Sequence, residues 1–247
     1  MAVTRARAQA SGLATRLSEL GAEVVETPAI RIRPRPVEGD LRAAIEGIDV
    51  YALICLTSPN GVRLLFHVLA GADRDARALA GATTAAIGPG TAAELERHGI
   101  RADVVPERFV AEALVEALES VEVEGRRVLV ARAAEARTVL PAALRGRGAQ
   151  VDDVALYETV AEPLGDAERA ALQRATYVTF TSSSTVRFLL DAGVRPPDAA
   201  RIVSIGPVTT ATADEHGLTV HVEAERHDID GLVAALSADA ARRRVPA

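Results

Sequence analysis

Apolar and polar positions follow two alternating periods along this chain. Short runs of apolar and β-branched residues recur at 51–56, 84–87, 127–130, 177–180 and 202–205, each of strand length. Between them the spacing widens to three and four residues, as in Leu13, Leu17 and Leu20, or Leu114, Val115 and Leu118, which predicts helices with one apolar face. Gly, Pro, Ser and Thr cluster where a run ends and a helix begins. Gly21, Gly71, Gly99, Gly148, Gly193 and Gly217 follow the helices, where a left-handed cap is expected. Strands alternating with helices imply parallel sheets covered on both faces.

The pattern is written twice. Residues 3–30 align without gaps on 130–157, an offset of 127, with eight identities that include Arg5/Arg132, Leu17/Leu144 and Gly21-Ala22/Gly148-Ala149. TSPNGVRLLF (57–66) aligns on TSSSTVRFLL (181–190) at an offset of 124, and AIGPGTAAELERHG (86–99) on SIGPVTTATADEHG (204–217) at 118. Three pairs in one order, with slowly drifting offsets, mark an internal duplication. RIRPRPVEGD (31–40) and ETVAEPLGD (158–166) fall at equivalent points of the repeat and read as linkers, held extended by Pro34, Pro36 and Pro163. Two crossings suit a chain that leaves one lobe, builds the other and returns. The expected architecture is two flavodoxin-like, doubly wound parallel-sheet domains joined by a two-stranded linker. Residues 1–31 with 165–247 form one domain, 38–157 the inserted one, and 32–37 and 158–164 the linker strands.

Composition narrows the function. With 247 residues, 49% hydrophobic and 25% charged, the chain has a sizeable core available. A net charge of −6 argues against a nucleic-acid partner. Every basic side chain other than histidine is Arg, so an anion site would rely on guanidinium groups and backbone amides. The longest apolar run, 51–56, falls far short of the roughly 20 residues that span a bilayer, so no membrane association is expected. The basic start, 1–7, has no apolar stretch behind it and does not read as a secretory signal. One cysteine, Cys55, allows neither an internal disulfide nor a metal cluster of its own, and a reducing cytoplasm is the expected setting.

Ligands of open parallel sheets bind at the carboxyl ends of strands, beside helix starts that attract anions. Four repeated loops place small or hydroxyl-bearing residues there. They are Thr57-Ser58-Pro59-Asn60-Gly61, Gly88-Pro89-Gly90-Thr91, Thr181-Ser182-Ser183-Ser184-Thr185 and Gly206-Pro207-Val208-Thr209. Each is open to two readings, a plain helix cap or part of an anion-binding cleft shared by the two lobes. There is no GxSxG elbow, phosphate loop, HExxH or zinc-spaced Cys/His set. His98 and His216 occupy matching positions at helix ends, where they suit the dipole. Glu112, Glu116 and Glu119 read as a solvated helix face. Tyr157 breaks the alternation of the run 151–157, just before a linker, and either packs at the hinge or faces the cleft.

The ordered set TSPNGV, AIGPGTA, VVPERFVAEALVEAL, VLVARAA, VALYETV, FTSSSTV and SIGPVTT resembles the uroporphyrinogen-III synthase family, from Val3 to about Leu236. The resemblance implies a lyase of tetrapyrrole and heme biosynthesis. It would close hydroxymethylbilane, a linear tetrapyrrole, to uroporphyrinogen III in the interdomain cleft, losing water and inverting the last ring through a spiro intermediate. It implies no cofactor and no metal. Departure of the hydroxyl leaves a stabilised azafulvenium cation, so the enzyme needs only to assist that departure and hold geometry. A substrate with eight carboxylates would account for the amide- and hydroxyl-rich helix starts.

Carried over by motif, Tyr157 of YET aligns with the family's cleft tyrosine, proposed to give a proton to the leaving hydroxyl. Thr91 and Thr209 correspond to threonines facing the cleft. Ser58, Pro59, Asn60 and Gly61, with Gly88 and Gly90, Thr181, Ser182, Ser183, Ser184 and Gly206, belong to the substrate-binding loops. Arg5 and Arg132 either reach substrate acids or pair locally. One departure is the opening strand, where Gly125–Leu129 has only Met1-Ala2 as its counterpart. A late start or a piece of a longer polypeptide would explain it, and the family does occur fused to a tetrapyrrole methyltransferase. Otherwise a monomer is expected. The alternative reading is a non-catalytic two-lobed tetrapyrrole- or anion-binding or regulatory module. For a regulator residues 237–247 are too short to add a DNA-binding domain, and a secreted anion-binding protein would carry a signal.

Overall fold

The computed structural model describes residues 1–244, and of 7–11 and 244 the backbone alone. In chain order the elements are β1 (Ala2–Val3), α1 (Arg7–Glu19), β2 (Val25–Glu26), β3 (Ile30–Pro34), α2 (Gly39–Glu46), β4 (Leu53–Leu56), α3 (Pro59–Gly71), β5 (Thr83–Ala86), α4 (Pro89–Arg97) and α5 (Ala111–Ala117). They continue with β6 (Arg127–Ala133), α6 (Val139–Gly146), β7 (Gln150–Ala161), α7 (Asp166–Gln173), β8 (Tyr177–Phe180), α8 (Ser183–Asp191), β9 (Arg201–Ser204), α9 (Pro207–Glu215), β10 (Val220–Glu223) and α10 (Ile229–Arg244). Short 3-10 turns precede β4 and β5. Two compact units result: Met1–Arg31 together with the chain from Val160 onward, and Ile32–Thr159.

The sheets are ordered β10-β9-β8-β1-β2 and β3-β7-β6-β4-β5. Their parallel registers repeat one another. Val3 lies opposite Thr179 and Glu26 in the first, and Val130 opposite Cys55 and Asp153 in the second. Thr179 in turn faces Val203, and Cys55 faces Ala85. Each pair of equivalents differs by the offset found in the sequence, so the duplication is one of strand register as well as of residues. The counterpart of β10 is a single bridge from Val104 to Ala85.

Alternation along β4 shows how the second sheet is covered. Leu53 and Cys55 join Leu114, Leu118, Leu140 and Leu144, so α5 and α6 lie on that face. Ile54 and Leu56 join Val62, Leu65, Leu69 and Leu95, which puts α3 and α4 on the other. All four β4 residues are completely buried, and each such aliphatic side chain contributes about 1.5–3 kcal/mol. In the first unit Val3, Tyr177 and Val203 pack with Leu13 and Leu17 of α1 and with Leu232 and Leu236 of α10.

The chain passes between the units within β3 and β7, which are sheet neighbours. Arg35 N–H bonds to Leu156 O, and Glu162 N–H bonds to Ala29 O, so these two strands run antiparallel. Two details depart from the sequence reading. Gly71 ends α3 without turning left-handed, and Asp73 takes the positive φ of 54° two residues later. The other five glycines do adopt positive φ. Gly39 and Asp40, read as linker, already belong to α2. The expected linker strand at 158–164 begins as a continuation of β7, which runs to Ala161.

Candidate functional site

In the second unit, α3 and α4 begin side by side at the carboxyl ends of β4 and β5. Ser58 is the N-cap of α3; it is extended, and its Oγ accepts the Gly61 N–H at 2.9 Å. Pro59 fills the first helical position, where no N–H is needed. A Cβ on Gly61 would crowd Ser58 Oγ at 3.3 Å, whereas one on Gly90 would make only ordinary contact with Pro59 at 3.8 Å. Gly88 caps α4, and Thr91 N–H bonds back to Gly88 O. Tyr157 arrives from β7, where the register with β6 skips a residue between Arg132/Ala155 and Ala133/Tyr157. That bulge is the alternation break seen in the sequence, and it buries Leu156 and Tyr157 in the same core cluster. The Tyr157 hydroxyl reaches Ser58 Oγ at 2.8 Å. Burial raises the phenol's pKa and Glu135 adds to that, while hydrogen bonds from Ser58 and Asn60 and the charge of Arg63 act against it.

The first unit repeats the helix starts without the tyrosine. Ser182 caps α8 and accepts the Thr185 N–H at 3.3 Å, with Thr181 just before it. Its Oγ also lies 2.9 Å from Ser184 Oγ. Ser183 donates to Val208 O and accepts from Thr212 Oγ1, tying α8 to α9. Gly206 caps α9 and receives the Thr209 N–H on its carbonyl. Thr91 and Thr209 are both buried. At the repeat position of Tyr157 stands Ile30, also buried.

The two aligned arginines differ. Arg132 is only 11% exposed; its fork meets Asp153 at 2.5 and 2.9 Å, and its remaining nitrogen donates to Ala133 O and Ala136 O. It pairs locally and fastens the loop after β6. Arg5 follows β1, half-buried. His98 stacks on Phe66 with ring centroids 4.0 Å apart, and His216 Nδ1 lies 2.8 Å from Thr212 O. Glu112 and Glu116 pair with Arg137 and Arg108 on the exposed face. Among the described residues no set of three or more His, Cys, Asp or Glu could hold a metal, and no helix is long and apolar enough to cross a membrane. A cavity of about 750 Å³ opens at the amino end of the first sheet, lined by Met1, Leu17, Tyr177 and Leu236, and none of the sequence-predicted residues lines it.

Two features escaped the sequence reading. Residues 107–118 match 225–236 at the offset of 118 already seen, with Glu107/Glu225, Arg108/Arg226 and Leu114/Leu232 among the identities. This fourth pair sets Phe109 against Gly88 and His227 against Gly206; a Cβ on those glycines would fall 3.1 and 2.8 Å from the rings. Extending the third alignment would have found it. The other is an ionic link from α3 to α4. Arg63 donates to Asn60 Oδ1 at 2.6 Å and to Glu94 Oε2 at 3.2 Å, and Arg97 reaches the same Glu94 oxygen at 3.0 Å.

The family described as uroporphyrinogen-III synthase HemD matches residues 11–234 of the chain. A porphyrin biosynthesis protein HemD from Ruminiclostridium josui is 33% identical over 94% of this chain, which spans about half (46%) of that relative's length. A putative uroporphyrinogen-III synthase from Methanothermobacter thermautotrophicus is 32% identical over 96% of this chain and 97% of its own. Among solved structures, a mutant uroporphyrinogen III synthase from Thermus thermophilus superposes with a TM-score of 0.66 at 18% identity, covering 98% of both chains. That likeness bears on the fold, an α/β architecture of parallel sheets.

Proposed function

The chain belongs to the uroporphyrinogen-III synthase family, and from that premise we propose that it closes hydroxymethylbilane to uroporphyrinogen III as a cyclising hydro-lyase. Tyr157 is the acid in this reading. Its phenolic proton passes to the terminal hydroxyl of the bilane, and the C–O bond breaks with its electron pair on the departing water. The pyrrole nitrogen's lone pair stabilises the resulting azafulvenium cation. Ring closure through the spiro intermediate and rearomatisation then release a proton, which restores the phenol. The observation that carries the assignment is the hydroxyl of the buried Tyr157 side chain, in a part-buried contact 2.8 Å from the capping Ser58 Oγ, where a phenolate could keep a hydrogen-bond donor.

The helix starts at Ser58, Gly88, Ser182 and Gly206 serve the substrate's carboxylates, each with the positive end of a helix and small neighbours. Arg5, Asn60, Thr91, Thr209 and the serines 183 and 184 belong with them. Arg132 acts by shaping its loop through Asp153. We read each unit as a flavodoxin-like domain, a reading supported by the order β2-β1-β8-β9-β10 and by its register-matched counterpart in the second sheet. The two domains are joined through β3 and β7, and the setting is the cytoplasm, where the lone Cys55 thiol needs no partner. Freshly made hydroxymethylbilane tests the proposal. The purified protein should yield the III isomer, and formation of the I isomer alone at the spontaneous rate would overturn it, leaving a binding module.

A further inference from the structure

The alignment assigns no role to Arg63, yet the side-chain geometry around Tyr157 turns on it. Ser58 Oγ already accepts the Gly61 N–H, so its own proton is free to point at Tyr157 Oη. Asn60 is the second polar neighbour of that phenol. Which end of the Asn60 amide faces the tyrosine is fixed from the other side. Arg63 has only donors, so the Asn60 atom it meets at 2.6 Å must be the carbonyl oxygen, and the NH2 is left to face Tyr157. Arg63 is in turn held by Glu94, a buried carboxylate on α4 that also takes Arg97. The chain Glu94–Arg63–Asn60–Tyr157 therefore presents two donors, Ser58 O–H and Asn60 N–H, to the oxygen that must carry a negative charge once its proton has left.

We propose that Arg63 is a positioning residue for the reaction: anchored by Glu94, it orients the Asn60 amide so that it donates to Tyr157 Oη and holds the phenolate formed as the hydroxyl departs. This rests on Tyr157 being the acid. Arg63 touches no reacting atom, and its effect passes entirely through the tyrosine. In the duplicate unit the equivalents of Asn60 and Glu94 are Ser184 and Thr212, which bond instead to Ser182 and Ser183. The ionic chain thus accompanies the one helix start that faces a phenol.

The test is a double-mutant cycle on steady-state kinetics with hydroxymethylbilane. Arg63→Met should lower kcat about tenfold, the lower end of the scale of one hydrogen bond to a developing charge, with KM within about twofold. Arg63→Lys should recover part of the loss. In the Tyr157→Phe background the same Arg63→Met change should have no further effect, because no phenolate forms. Asn60→Asp keeps the Arg63 pairing but presents an acceptor to the phenol, and should lose as much kcat as Arg63→Met while melting close to wild type. An equal loss in both backgrounds, a rise in KM with kcat unchanged, or full activity of both Arg63→Met and Asn60→Asp would overturn the proposal. If Tyr157→Phe alone retained full activity, the acid assignment itself would fall, an outcome read separately from the Arg63 arm.

Discussion

Replacing Tyr157 by phenylalanine removes one oxygen and leaves the ring in place. The residue is 5% exposed within the cluster of Leu56, Val62, Ala131 and Leu156, so the change opens no cavity that matters for packing. The hydroxyl's 2.8 Å contact with Ser58 is lost, but Ser58 keeps the Gly61 N–H and can turn its proton elsewhere. One hydrogen bond of this kind is worth about 1 kcal/mol. For a chain of this size that shifts Tm by roughly 2–4 °C. The catalytic effect should be much larger, since a positioned general acid contributes about 10²–10⁴-fold. The lower end is expected. Burial first of all, with Glu135 behind it, holds the phenol above its ordinary pKa, so it gives up its proton reluctantly. The assay follows bilane consumption and separates the product isomers. The variant should turn over about a hundredfold more slowly, with isomer I rising as spontaneous closure overtakes the slowed enzyme. Wild-type kcat with undiminished isomer III would refute the acid. A large fall in Tm alongside lost activity would point instead to a packing role.

Ser58→Ala and Ser182→Ala remove equivalent caps and should each cost about 1 kcal/mol in thermal melts. Only the first should lower kcat through Tyr157, with the second acting on KM; equal kinetic effects would contradict that difference. Cys55 is completely buried and its thiol is pushed up to about 12 by desolvation, so an aromatic disulfide reagent should label it only on unfolding. Rapid labelling of the native protein would refute this. Asp239 resists burial, which alone would raise its pKa; the fork of Arg201 at 2.7 and 2.9 Å and the Tyr177 hydroxyl at 2.8 Å win and lower it. A depressed carboxylate stabilises the fold above its unfolded pKa near 4 and loses that contribution as pH falls through its folded value. Asp239→Asn should therefore cost about 3 kcal/mol at pH 7, with the gap to wild type closing below about pH 4 in denaturant titrations. A gap constant from pH 7 to pH 2 would contradict the linkage.

What was legible in the sequence was whatever repeats or alternates. Val3 and Val130 were matched by identity, and they occupy the same register position in their sheets. Tyr157 stood out because it broke a two-residue period, and a bulge is the physical form of such a break. Illegible were the partners chosen across long sequence separations. Alignment pairs Arg132 with Arg5 but cannot say that Asp153, on the neighbouring strand, takes up the guanidinium. Arg63 and Glu94 sit on different helices, and no periodicity links them until β4 and β5 pair and bring α3 against α4. Gly71 misled for a local reason. It is itself the last helical residue, and an aspartate two residues later, which tolerates left-handed backbone, took the turn.

The duplicated units share a scaffold but not the phenol, and the matching strands run to different lengths. Pro28 in the first unit corresponds to Ala155 in the second. β2 lies at the sheet edge and stops at Glu26, and Thr27 N–H and Ala29 N–H still reach Val3 O and Thr4 O on either side of the proline. Ala155 keeps its N–H, and β7 runs on through Leu156 and Tyr157 to Ala161. In the first copy the chain beyond the proline starts β3, and the residue aligned with Tyr157 is Ile30, buried with nothing to donate. This asymmetry fits the chemistry proposed. In the proposed reaction carboxylates are spread along the whole substrate, which would give both copies of the helix starts work as anion sites. Only one hydroxyl leaves per turnover, so only one copy needs an acid. A phenol in place of Ile30 would add the desolvation of a polar group with no leaving group to serve. Divergence after duplication then had a narrow task, to keep the caps in both units and carry one strand far enough to bring a single tyrosine to one of them.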